Sequence, residues 1–68
     1  MNPSEKTIIV HAKEASRYAE SAYWWMKGID RDEAQRLGIN DQIQTVLNLL
    51  QRVEGIAIDI VIKVKKVQ

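Results

Sequence analysis

Near its C-terminal end the chain alternates. Ile56, Ile58, Ile60, Ile62 and Val64 take every second position, with Ala57, Asp59, Val61, Lys63 and Lys65 between them. A period of two held this long marks a strand with one buried face, so residues 56–67 are expected to form a long β-strand. A second β-branched stretch, Thr7-Ile8-Ile9-Val10-His11, is apolar on successive positions and reads as a short inner strand. The short strand can pair with only part of the long one. The remainder would be an isoleucine-rich edge open to association. The expected cover is the same strand of a second copy, with Ile58, Ile60 and Ile62 at the joint of a homodimer related by a twofold axis.

Between these segments the apolar period changes. From Ala12 to Ile29, the residues Ala12, Ala15, Tyr18, Ala19, Ala22, Tyr23, Trp25, Met26 and Ile29 fall on one arc of a helical wheel, roughly 160° wide at 100° per residue. This predicts a helix over residues 12–28 with alanine at the centre of its apolar face. Tyr18 and Trp25 are expected to edge the core, and Gly28 to end the helix in the left-handed conformation. Asp30-Arg31-Asp32-Glu33 has the spacing of a capping box and predicts a short helix to Leu37, stopped by Gly38. Asn40 or Asp41 is expected to cap a third helix running to about Glu54. Its buried stripe would be Ile43, Val46, Leu47, Leu50 and Val53, with Leu49 at the edge and Gly55 as the stop.

These elements give an α+β fold in the order β-α-α-β: a small antiparallel sheet covered on one face by helices and extended across a homodimer. Residues 1–6 are expected to be a flexible leader and residues 7–68 a single domain. A core built from 68 residues seldom supplies more than ~3–5 kcal/mol of net stability. Cysteine is absent and there is one histidine, so neither disulfides nor a thiolate zinc site can staple the chain. Good packing or self-association remains, and self-association is the expectation. With 46% apolar and 28% charged residues the composition is that of a folded chain. No apolar run approaches the ~20 residues of a membrane span, and the polar start, Asn2 to Lys6, has no signal-peptide core. A cytoplasmic location is the expectation.

Little here suggests catalysis. His11 is the one imidazole, the side chain most often used as a general base, but that role needs a nucleophile or an orienting carboxylate beside it. Glu14 and Ser16 are near in sequence, but no known spacing links them to it. Asp30, Asp32 and Glu33 lack the further ligands and the glycine of a calcium loop. The three glycines are scattered singly, so no phosphate loop is present. No enzyme, cofactor or metal is expected.

Two binding readings remain. Trp24 falls on the charged side of its helix, between Lys13 and Arg17. Exposed aromatics of this kind anchor interfaces, so Trp24, Arg17 and Lys13 are the expected contact residues for another protein. The alternative is a small nucleic-acid-binding regulator. Leu37-Gly38-Ile39 resembles the turn of a helix-turn-helix unit at residues 31–54. The helix after it would present Gln42, Gln44, Thr45, Asn48 and Arg52 to base edges, with Lys63, Lys65 and Lys66 adding phosphate contacts. Charge opposes this: residues 30–54 hold three basic side chains against five acidic ones, and DNA affinity rests on neutralising phosphates. The lysines also suit a gatekeeper role beside an apolar run. A non-catalytic protein-interaction module is therefore the leading expectation.

Overall fold

Two apolar stripes with alternating spacings of four and three organise the structure. In the computed structural model, which describes residues 3–67, Glu5, Ile9, Ala12, Ser16, Ala19, Tyr23 and Met26 are buried or half-buried along one line of the first helix. Asn40, Ile43, Leu47, Leu50, Glu54, Ala57, Val61 and Val64 form the matching line of the last. This seven-residue repeat keeps two helices in contact along their whole length. The elements are α1 (Pro3–Lys27), α2 (Arg31–Leu37) and α3 (Asn40–Lys66), with α1 and α3 running antiparallel as a hairpin and α2 at the closed end. The Cα positions span 52 × 14 × 11 Å.

The α+β expectation is overturned: there is no strand or sheet among the described residues. Residues 7–11 and 56–66, both expected as strands, are helical. The stretch Ile56–Val64 is apolar at positions 57 and 61 as well, so it satisfies a helical repeat as fully as a period of two. Helix propagation decides between them. α3 already carries its seam from Asn40, and each further residue adds a hydrogen bond without a new nucleation cost. β-Branched side chains weaken a helix by at most ~0.7 kcal/mol per residue, whereas a five-residue strand beside one partner is marginal in water. The isoleucine edge that would have joined two sheets does not exist. Residues 3–6, expected as flexible leader, form the first turn of α1, where proline is tolerated; residues 1 and 2 lie outside the described residues.

Other boundaries follow local chemistry. Asp30 caps α2 by accepting the Glu33 backbone N–H at 3.0 Å. The Glu33 carboxylate turns outward to Arg36, so only half of the expected box forms. Gly38 ends α2 at φ 72°, and Ile39 N–H closes back on the Ala34 carbonyl at 3.0 Å, the bond that seals a left-handed helix end. Ile39 is also the N-cap of α3 and offers no side-chain bond there, so neither Asn40 nor Asp41 caps the helix. Packing explains the choice: Ile39 sits against the cluster of Ala34, Ile43 and Leu47 together with Tyr23, Met26 and Ile29. Gly28 does not adopt the left-handed conformation; its N–H is shared between the Trp24 and Trp25 carbonyls. Gly55 stops nothing and lies inside α3.

The core is thin. Among the described residues eight apolar side chains are buried, four of them alanine, and no large side chain is fully enclosed. Ile9, Ala12 and Val61, with Val64 against them, close the open end, while the cluster around Leu47 closes the other. Between them the seam holds Ser16, Ala19 and Ala57 and the half-buried Glu54.

Candidate interaction surface

The side chains left outside the seam are unusually apolar. Fourteen large hydrophobic residues are exposed among those described, including Trp25 at 83% and Ile56 at 57%. Helical spacing sorts them. On α1, Ile8, His11, Ala15, Tyr18, Ala22 and Trp25 repeat every three and four residues, one step round the helix from the seam. On α3, Val46, Leu49, Val53, Ile56 and Ile60 do the same. In an antiparallel pair these two outer stripes fall on the same side of the hairpin. A depression lined by Ile8, His11, Ala12 and Ile60 bridges the two helices there. A second runs up α1 past His11, Glu14, Ala15 and Tyr18. The hairpin thus has a second seam with no partner among the described residues. Large exposed apolar surfaces of this kind mark interaction sites.

The opposite flank is mostly polar. Lys13, Arg17, Glu20, Trp24 and Lys27 share one line of α1, so the structure keeps the three expected contact residues Lys13, Arg17 and Trp24 together. Trp24 is 62% exposed, and its ring meets Tyr23 edge-on at 5.6 Å. It lines a depression with Ser21, Trp25, Gly28 and Ile29. Arg17 pairs with Glu14; this bond, with the carboxylate's charge, raises the guanidinium above its ordinary pKa. Lys27 lies over the Tyr23 ring at 5.6 Å. The isoleucine set is divided. Residues two apart share a face on a strand but point about 200° apart on a helix. Ile58 and Ile62 therefore join the Trp24 flank, while Ile60 belongs to the unpartnered seam.

The residues expected to contact nucleic acid are spread along α3. Gln44 donates to Asn48 at 3.0 Å, and Thr45 donates to the Asp41 carbonyl. Arg52 stands on the line of Thr45 and Lys66, with Asp59 between, and Lys63 pairs with Asp59 at 3.0 Å. Gln42 is exposed near the α3 start. Lys65 lies about 30 Å along the helix from Gln44 at the usual rise. These residues do not converge on one groove-sized patch.

Of the two groups near His11 in sequence, Glu14 lines the same depression and Ser16 does not. Ser16 is buried on the seam, on another side of α1, and Glu14 is held by Arg17. No cluster of three or more metal-ligating side chains occurs among the described residues. None of the described helices is long and apolar enough to cross a membrane.

Sequence inspection missed the second seam. Its signal was present: an apolar arc of roughly 160° exceeds the ~100° stripe that suffices for one partner. Tyr18 and Trp25, expected to edge the core, are 65% and 83% exposed because they belong to the outer stripe. Val46 and Val53, expected in the α3 core, are there for the same reason. No protein-family model matches the chain, and no curated protein or solved structure matches it significantly.

Proposed function

We propose that this chain is a non-catalytic interaction module, a helical hairpin that docks other helices on its outer seam. The observation that carries this reading is the three-and-four spacing of exposed apolar residues on both helices at once, on one side of the hairpin. Isolated surface leucines and isoleucines are ordinary; a continuous second repeat is the pattern by which helices in bundles acquire two neighbours. The thin core supports the same reading, since docking would bury the apolar area that the chain alone leaves in water. This moves the interface from the Trp24 flank to the one opposite.

The test is a pair of double variants followed by sedimentation and circular dichroism. Leu49→Glu with Ile56→Glu places charges on the outer seam and is expected to abolish association of any kind. Lys13→Glu with Gln51→Glu places them on the polar flank and is expected to leave association as it was. Association that survives the first pair, or is lost equally with the second, would refute the docking seam.

A further inference from the structure

Resting on that docking seam, we infer that its occupant is a second copy of this chain, packed so that α1 faces α1 and α3 faces α3 about a twofold axis perpendicular to the helices. The product is a four-helix bundle with the closed ends of the two hairpins at opposite ends.

Self-complementarity carries the inference. Reversing the α1 stripe against itself about a point between Ser16 and Arg17 brings Ala15 opposite Tyr18 of the second copy, His11 opposite its Ala22, and Ile8 opposite its Trp25. Each pair sets a smaller side chain against a larger one, which is how facing layers interdigitate without voids. The α3 stripe reverses in the same way about a point between Glu54 and Gly55, with side chains closer in size. Val53 then meets Ile56 of the second copy, Leu49 meets its Ile60, and Val46 meets its Lys63, which is paired with Asp59. The two centres are set by different residues, yet the hairpin puts them level. Its register is fixed by Ile9 against Val61 at one end and by Tyr23 and Met26 against Ile43 and Leu47 at the other. That register places residues 16 and 17 beside residues 54 and 55. One axis therefore serves both helices, as the shared seven-residue repeat of the two stripes allows.

Area sets the strength, and charge agrees. The paired stretch from Ile8 to Trp25 is about 26 Å long at the usual helical rise. Across a hairpin 14 Å wide between Cα atoms it projects to about 360 Å² before side chains widen it, below the roughly 800 Å² per partner of a standard interface, so a weak, concentration-dependent dimer is expected. From Val46 to Ile60 the α3 stripe carries no charge, and from Ile8 to Trp25 the α1 stripe carries only His11 as an ionisable group other than the phenol of Tyr18. Two like-charged faces would repel; here the one charge at the next stripe position, Lys63, is paired with Asp59, and its two copies would stand about 25 Å apart along the bundle at the usual rise. The lysines and arginines of α1 stay on the opposite flank, in water.

Cysteine cross-linking combined with sedimentation equilibrium tests the arrangement, since the native chain has no cysteine. Ala15→Cys and Val53→Cys lie beside the proposed axis and should each form a disulfide-linked dimer under mild oxidation. Trp25→Cys should not, because its two copies would be about 25 Å apart along the bundle at the usual helical rise. Leu49→Glu with Ile56→Glu should raise the dimer dissociation constant by at least about a hundredfold, because each buried carboxylate would lack a partner. Linking through Trp25→Cys, or a species larger than a dimer, would overturn the twofold packing while leaving the docking seam in place. A native chain that stays monomeric at all concentrations, yet binds phosphatidylcholine vesicles through the same residues, would overturn the second copy and transfer the seam to a lipid surface. A dimer indifferent to the Leu49 and Ile56 charges would overturn both the partner and the seam.

Discussion

Ile8 of α1 and Ile60 of α3 line the same depression on the outer side of the hairpin, although 51 residues separate them in the chain. Between them stands His11, the one imidazole of the molecule and the one strongly polar side chain in the α1 stripe. Replacing it with leucine continues the apolar line past Ala15. His11→Leu is expected to lower the dimer dissociation constant by roughly tenfold, the effect of burying one or two further methylene groups. His11→Glu is expected to raise it. Sedimentation equilibrium across a concentration series reads both.

Two glycines give opposite predictions. Gly38 sits at φ 72°, where a Cβ is strained even though space is open around it. Gly38→Ala should cost about 1–2 kcal/mol, the penalty of the left-handed conformation. Gly55 lies inside α3, with nothing within 4 Å of an added Cβ. Gly55→Ala should therefore stabilise by about 0.8–1 kcal/mol, as glycine does poorly inside a helix. Thermal midpoints should move down for the first and up for the second. An unchanged or lowered midpoint for Gly55→Ala would contradict a continuous α3.

That glycine also shows where sequence inspection succeeds and where it stops. Asp30, Leu37 and Gly38 were legible because caps and stops act within a few residues: a carboxylate reaches a nearby N–H, and a left-handed residue closes a helix. Gly55 carried the same letter without the same geometry. Whether a glycine ends a helix depends on the residues beyond it, and Ile56–Val64 fits two periods at once. Propagation from the α3 start favours the helix, and packing from across the hairpin adds a nonlocal term. Val61 and Val64 have Ile9 and Ala12 to pack on only if the helix continues to meet α1. The same limit hid the outer seam. Local pattern identified Ala15, Ala19, Tyr18 and Tyr23 as one apolar face, but only the position of α3 divides that face into an occupied half and a free one.

An ion pair on α2 carries a pH dependence of known sign. Arg36 donates to the Glu33 carboxylate at 2.6 Å, and that bond holds Glu33 below the ordinary carboxylate range. A carboxyl whose pKa is lower in the folded state stabilises the fold above its unfolded pKa, and the contribution is lost as pH falls through the folded value. Both side chains are well exposed, so the effect is small. Glu33→Gln should remove it. The drop in thermal midpoint from neutral to strongly acidic pH should be smaller in the variant than in the native chain, and an equal drop would show that the pair contributes nothing.

Leu47 and Leu49 separate folding from docking most directly. They stand two positions apart on α3, and helical geometry turns them to different partners. Leu47 is 3% exposed against Ala34 and Ile43, while Leu49 is 51% exposed on the outer stripe. Leu47→Ala empties a core position and should cost about 2–5 kcal/mol, comparable to the ~3–5 kcal/mol that a core of this size supplies. The variant should lose its helical signal at every concentration. Leu49→Ala removes a side chain that the hairpin itself scarcely uses, and surface changes of that kind fall within about ±0.5 kcal/mol. Its thermal midpoint should match the native chain at dilutions where both are monomeric. At higher concentration, where a second copy adds stability by mass action, the native midpoint should climb and the Leu49→Ala midpoint should lag behind it. Parallel curves at all concentrations would mean that Leu49 touches nothing in the assembled state.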